Sequence, residues 1–434
     1  MKIHKYIVLV MLSLFSFSSM AQVPAPGEKQ KEPIAIMNAY AHLGNGEVIE
    51  NSVITFEDGI ITNVADATTI RMDLSKFKVI KAEGMHVYPG LIASNTIIGL
   101  EEIAAVRASR DQSETGDLNP NVRALIAYNT DSEIIPTTRF NGVLYAQTTP
   151  RGGRISGSSS VMDLDAWNWE DAVLKNDEGI HLNWPSKLSY PRWWLGETEW
   201  RKNEDYDKQY EEVEIFFKDA VSYSAVSEPE TTNLKLEAMK GLFDGSKSLY
   251  IHTDRAKEIL QSIQFALEMG VKKVVLVGGD EAYYVKDFLK ENDIAVILEE
   301  TLRLPSRTAD PVDMPYQLPS LLHKAGIKVA IGQWGEVMQV RNLPFSVGTA
   351  AAYGLGKEEA LKMATLNAAE IMGVADKIGS LEKGKVASIV ISRGDILDMN
   401  SNQMEYVFIE GREVNLDAHQ QRLYKKFKEK FKDQ

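Results

Sequence analysis

The 434-residue sequence predicts an α/β protein: a TIM-like (β/α)8 barrel flanked by β-rich chain ends. Three observations lead there. The middle of the chain alternates strand-like and helix-like runs, the rhythm of a parallel sheet with crossover helices. That repeating middle spans nearly three hundred residues, the size of a complete barrel. Both ends are built instead from short β-type runs separated by glycine turns.

Taken in order, the chain opens with MKIHKYIVLVMLSLFSFSSMAQ: a basic start at Lys2 and Lys5, an apolar run from Tyr6 to Phe15, and the small-x-small triplet Ser19-Met20-Ala21. This pattern predicts a secretory signal peptide, residues 1–21, cut after Ala21. The apolar run is shorter than the roughly 20 residues a spanning helix needs, and no cysteine follows it for a lipid anchor. The expectation is a secreted, periplasmic protein without a stable membrane anchor. Residues 22–32, rich in Pro, Lys and Glu, read as a mobile leader.

From Pro33, β-type runs are punctuated by Gly44-Asn45-Gly46 and Asp58-Gly59, which are hairpin signals. A run from Phe77 to Ile80 leads into Val87–Gly99, VYPGLIASNTIIG. The clearest barrel units follow Leu249: strand Leu249–His252, helix Thr253–Met269, strand Lys273–Val277, helix Glu281–Glu291 and strand Ala295–Leu298. Further on come helix Leu318–Ala325, strand Lys328–Ile331 and helix Glu358–Met372. Short strands return from Lys377 to Val414 around Gly379, Gly384, Gly394 and Gly411.

Two segments fall outside this rhythm. Residues 163–230 hold six of the seven tryptophans (Trp167, Trp169, Trp184, Trp193, Trp194 and Trp200) and the acidic amphipathic stretch Glu204–Lys218. They read as an insertion over one barrel face, its aromatics forming a satellite core or, alternatively, a lid or docking surface. The tail 417–434 reads as an amphipathic helix with a lysine-rich outer face, packed on the domain or used as a subunit contact.

Cysteine is absent, so neither disulfides nor thiolate metal sites are available. Removing the signal peptide takes away two lysines and no acids, moving the net charge from −13 to −15. That acidity argues against nucleic acid or anionic membranes as partners.

VYPGLIASNTIIG resembles the first barrel strand of the amidohydrolase superfamily, PGLID followed by His-x-His. Tyr250-Ile251-His252-Thr253-Asp254-Arg255-Ala256 is similar to the fifth-strand IHAxRA of its imidazolonepropionase-like branch, and GSLEKGKVASIVI to its GSLEPGKDADLVV. The resemblance implies that residues 33–85 and 376–416 combine into one small composite β-sandwich beside a barrel formed by 86–375. It also implies five metal-ligand positions. The two on the first strand hold Asn95 and Ile97, the sixth-strand position holds Gly278, and the eighth-strand aspartate falls on or next to Trp334 in AGIKVAIGQWGEV. Only His252 is retained. Val386 and Ser388 likewise replace two aspartates of the second motif.

The expectation is a site without the superfamily metal centre, with Trp334 filling part of the vacated space. Zinc or another divalent metal is the alternative, held by a non-equivalent cluster drawn from His181, His252, Asp254, Asp280 and Glu281. Thr148–Ser160, rich in Gly and Ser with Arg151 and Arg154, lacks the phosphate-loop lysine and spacing. It resembles a PxGGxISG barrel loop of the same branch. No G-x-S-x-G nucleophile elbow occurs.

Two functions are carried forward. One is a non-catalytic protein that binds a small molecule in the barrel mouth, or assembles as a homo-oligomer or as a hetero-oligomer with an active paralogue. The other is an active hydrolase of C–N bonds in cyclic amides, imides or dipeptide-like substrates, with a remodelled site around His252.

Overall fold

The computed structural model describes residues 25–189, 191, 195–307 and 309–432. The signal-peptide expectation, Trp193 and Trp194 lie outside the described residues.

In chain order the strands are β1 (Ile34–His42), β2 (Val48–Glu57), β3 (Ile60–Asp66), β4 (Lys78–Lys81), β5 (His86–Pro89), β6 (Leu91–Thr96), β7 (Val143–Thr148), β8 (Ile155–Asp163) and β9 (Val173–Asn183). There follow a small hairpin, β10 (Leu188–Ser189) and β11 (Arg201–Lys202), then β12 (Ser248–Thr253), β13 (Val274–Gly278), β14 (Ala295–Leu298) and β15 (Val329–Ile331). The last three are β16 (Ile389–Ser392), β17 (Met404–Ile409) and β18 (Arg412–Glu413).

The barrel runs β6-β7-β8-β9-β12-β13-β14-β15. It closes through a parallel bridge between Ser94 and Gly332, with the Gln333 N–H donating to the Ser94 carbonyl at 3.0 Å. Its strands are buried almost throughout, and β13, β14 and β15 are apolar runs, as expected where both sheet faces are covered. The fifth, sixth and eighth strands are β12, β13 and β15, as the sequence predicts.

One strand departs from the (β/α)8 expectation. β8 is antiparallel to both β7 and β9. The chain reverses between Thr148 and Ile155 through Gly152 (φ +84°) and Gly153 (φ +64°), leaving no room for a crossover helix. A Cβ on Gly153 would sit 2.9 Å from the Gly116 and Asp117 carbonyls, so the turn is tight as well as left-handed.

The 163–230 segment also differs from expectation, because it is not an insertion from end to end. Val173–Asn183 is the fourth barrel strand, paired in parallel with β12. Its Lys-Asn-Asp-Glu centre disguises it, and Glu178 within that run is buried. The helix Tyr206–Ser224 packs on the barrel through Val213, Phe217 and Ala220. Trp184 meets Tyr210 and Phe265 at ring distances of 5.7 and 5.3 Å, so it belongs to the main core rather than to a satellite.

The chain ends form the additional β-domain. It is hydrogen-bonded as one continuous sheet, β18-β17-β16-β5-β1-β2-β3, with β4 also paired to β1. β1 pairs antiparallel with β2, while its other edge is shared by β4 and then β5, and β5 meets β16. Its separate core includes Ile36, Ile54, Phe56, Ile389 and Phe408. From β5 the chain passes through Gly90 straight into β6, where a Cβ would lie 2.7 Å from Leu144. The tail helix, His419–Lys430, is held at its start by Arg422 on Glu133 (2.7 Å) and Thr137 on Gln420 (2.8 Å).

Candidate functional site

The sequence-predicted residues sit at the C-terminal ends of the barrel strands, where barrel active sites form. Asn95 on β6 has φ +53°, a left-handed conformation that asparagine tolerates better than most residues. The β6–β7 register shifts there. This local kink presents both the backbone and the side-chain oxygen of Asn95 to Arg151, whose Nη1 donates to Oδ1 at 2.7 Å and Nη2 to the carbonyl at 2.8 Å. Arg151 is carried over the barrel by the β7–β8 turn. Its guanidinium lies 3.9 Å from the Trp334 ring centroid, a cation–π contact. Burial lowers its pKa to about 9, which leaves it a cation at neutral pH. Trp334 in turn meets His252 at 5.3 Å.

Behind His252 runs a buried polar chain. His252 Nε2 and His181 Nδ1 are 2.8 Å apart, and His181 Nε2 lies 2.8 Å from Ser159 Oγ. Ser159 donates to Glu178, which also accepts from Gln147 Nε2 and Tyr250 OH, each at 2.7 Å. Burial lowers the pKa of both histidines, His252 to about 3 and His181 well below the ordinary value, so both are neutral. The proton order follows. Ser159 gives its proton to Glu178, so it accepts from His181 Nε2–H, and His181 Nδ1 accepts from His252 Nε2–H. Gln147 Oε1 accepts the Asn95 N–H at 3.0 Å. The first five barrel strands are thereby joined in one network.

The opposite side of the mouth is open. A cavity of about 320 Å³ is bounded by His252, Asp254, Gly278, Glu299, Trp184 and Trp334, with Arg255 and Trp200 at its edge. Gly278 (φ +89°) is the vacated sixth-strand ligand position, and a Cβ there would lie 2.5 Å from Asp254 Oδ1. Burial, then the charge of Asp280, raises the pKa of Asp254. Burial and Asp254 push Glu299 up to about 8. A larger cavity of about 690 Å³, lined by residues 26–30, Trp167 and Arg412, lies elsewhere and shares no residue with the mouth.

The five sequence candidates therefore separate. His181 and His252 are brought together, and Asp254 lies beside them along the cavity wall. Asp280 is engaged by both terminal nitrogens of Arg303. Glu281 accepts the Ala256 N–H at 2.9 Å, at the start of the helix Ala256–Glu268, and pairs with Arg307 at 3.1 Å. Sequence reasoning missed Arg151 as a component of the mouth, together with Glu178 and Glu299.

The donor set does not fit the superfamily metal. The Asn95 oxygen is taken by Arg151, Ile97 is apolar, Gly278 has no side chain, and His252, with Nε2 turned to His181, keeps a single donor, Nδ1. Among the described residues, no three His, Asp, Glu or Cys side chains are grouped to hold a metal ion.

Fold and site together define an amidohydrolase-type barrel whose ligand positions have been replaced. The amidohydrolase family model matches residues 137–414, and the chain belongs to that family. Imidazolonepropionase from Symbiobacterium thermophilum is 29% identical over 180 residues, 40% of each chain. The match thus spans about two fifths of that relative. An amidohydrolase from Thermotoga maritima MSB8 superposes with a TM-score of 0.77 at 24% identity, covering 88% of this chain and 99% of the other. A prolidase complexed with N-methylphosphonate-L-proline superposes at 0.53 and 16% identity, covering 88% of this chain and 99% of that one. These similarities support the barrel and the imidazolonepropionase-like resemblance.

Proposed function

We propose that this amidohydrolase-family protein is a non-catalytic binding or subunit-partner protein of the periplasm, with a small-molecule cavity in the barrel mouth and no metal cofactor. The observation that carries this reading is Arg151. Its guanidinium is bonded to the side chain at one former ligand position, Asn95, and stacked on the side chain at another, Trp334. A fixed cation there repels a divalent metal at short range. It also offers no open coordination position at which water could be activated.

The test is metal analysis of protein purified from zinc-, iron- and manganese-supplemented medium, together with hydrolysis assays. Relatives named imidazolonepropionase and prolidase make cyclic amides and dipeptides the compounds to assay. Substoichiometric metal and no turnover are expected. Stoichiometric metal lost on His252→Ala, with turnover, overturns the reading.

A second reading, a metal-independent hydrolase remodelled around His252, draws on the His252–His181–Ser159–Glu178 chain, which fixes one imidazole tautomer over the cavity. Turnover that persists in chelator and disappears in His252→Asn would favour it.

A further inference from the structure

The acidic wall of the cavity is unbalanced. Asp254, Asp280 and Glu299 share one well-placed cation, Arg303, whose two terminal nitrogens go to Asp280 and whose Nε stays 3.9 Å from Glu299. Arg255 is drawn aside over Trp200, at 4.5 Å from the ring. Arg307 serves Glu281 and Asp310. Asp254 Oδ1 is fully buried and has no hydrogen-bond partner. It packs against Gly278, where a Cβ would lie 2.5 Å from it, and the Asp254 side chain lines the cavity. A buried acceptor left unmatched costs about 1–3 kcal/mol unless something supplies a donor.

The rest of the cavity indicates what that donor belongs to. Its volume, about 320 Å³, falls at the small end of ligand sites. Trp184, Val277 and Trp334 provide an apolar wall, and the His252 ring adds an aromatic edge. Among the described residues the Asp254 and Glu299 carboxyl groups are not part of a cluster of three His, Asp, Glu or Cys side chains that could hold a metal ion. They do match a compact ammonium, which brings three donors and one positive charge.

We propose that the barrel mouth binds a small organic amine, its ammonium group seated between the carboxyl groups of Asp254 and Glu299 and its apolar body against Trp334 and Trp184. The proposal deepens the binding reading above by naming the ligand class. The groups facing the ammonium are Asp254 and Gly278 from one side, Glu299, Glu300 and Arg303 from the β14 end, and His252 and Arg151 from across the mouth. Because burial and Asp254 raise the pKa of Glu299 to about 8, the site gains negative charge, and with it amine affinity, as pH rises from 5 to 8.5.

The test is calorimetric titration of the full mature chain with straight-chain and aryl amines of four to ten carbons, phenethylamine among them. The neutral isostere of phenethylamine, 2-phenylethanol, and zinc chloride alone serve as controls. Saturable amine binding is expected, at least tenfold tighter than the alcohol, tightening with pH and weakened tenfold or more in Glu299→Gln. Asp254→Asn should lose affinity similarly, and an unchanged circular dichroism spectrum with a Tm no lower than wild type in Glu299→Gln keeps the comparison valid if Asp254→Asn folds poorly.

No saturable amine binding, equal affinity for the alcohol, indifference to Glu299→Gln, or zinc displacing the amine would each overturn the proposal. Turnover of amides by the wild type bears on the non-catalytic reading alone. Amine affinity that survives alongside turnover retains this inference while the other fails.

Discussion

The two sides of the barrel mouth have lost their metal ligands in opposite ways. On the β6 side the vacated space is filled: Arg151 bonds Asn95, Trp334 covers the guanidinium, and Gln147 ties Asn95 to Glu178. On the β13 side the ligand is replaced by Gly278, and the gap is left as a cavity with carboxyl groups on its wall. Filling ties one side together, because Asn95, Gln147 and Arg151 are bonded within it. Emptying leaves the other side with a buried acceptor, Asp254 Oδ1, that has no hydrogen-bond partner among the described residues. The difference shows that a degenerate catalytic motif is not uniformly inert. What replaces each ligand decides whether that part of the site is sealed or available.

The sharpest way to break this comparison is to attack the centre of the sealed side. Glu178→Leu leaves the Gln147, Ser159 and Tyr250 donors buried without an acceptor, and a loss of about 3 kcal/mol or more in unfolding free energy is expected from denaturant titration. A loss under about 1 kcal/mol would show that the network is not what holds that side together.

Next in size is Arg151→Met, which removes two hydrogen bonds and a cation–π contact. A loss of about 2 kcal/mol is expected. An unchanged denaturation midpoint would mean that the cation does not seal the β6 side.

The open side should respond to pH instead. Glu299 has its pKa raised to about 8 in the folded protein. The folded state therefore holds the proton more tightly than the unfolded chain, and stability through this group is lost as pH rises from the ordinary carboxylate range through about 8. Glu299→Gln removes that penalty. Its Tm should match wild type near pH 5 and exceed it by about 2 °C or more at pH 9. A constant difference across that range would count against a buried, proton-holding carboxyl.

The smallest effect is expected from restoring first-strand ligands. Asn95→His with Ile97→His should leave bound zinc far below one equivalent by elemental analysis, because Arg151 remains and Gly278 and Trp334 still supply no ligand. Full zinc occupancy in that variant would show that the replacements at two positions alone had excluded the metal.

How much of this was legible follows from where each signal lies. The barrel, its fifth, sixth and eighth strands and the joined chain ends could be read because apolar periodicity and glycine turns are local properties. The changes at Asn95, Ile97 and Gly278 were legible because the surrounding Pro-Gly-Leu-Ile and Val-Gly-Gly frames survive. β9 was hidden, since Lys175-Asn176-Asp177-Glu178 reads as a loop until the barrel supplies partners for Glu178. Arg151 was visible as one of two arginines in a glycine-rich run, but its direction depends on β8 running backwards. Nothing in a single sequence marks Glu299 either. Its importance comes from Asp254, Asp280 and Arg303, which are distant in the chain and adjacent only after folding.

The reversal at Thr148–Ile155 has a consequence for assembly. Strands joined by crossover helices must wait for long loops to close, whereas β7, β8 and β9 form a meander whose contacts are close in sequence. This part of the barrel needs the least chain to be ordered before it pairs. The turn that carries Arg151 can therefore be set early, so that the later strands close around a cation already in place.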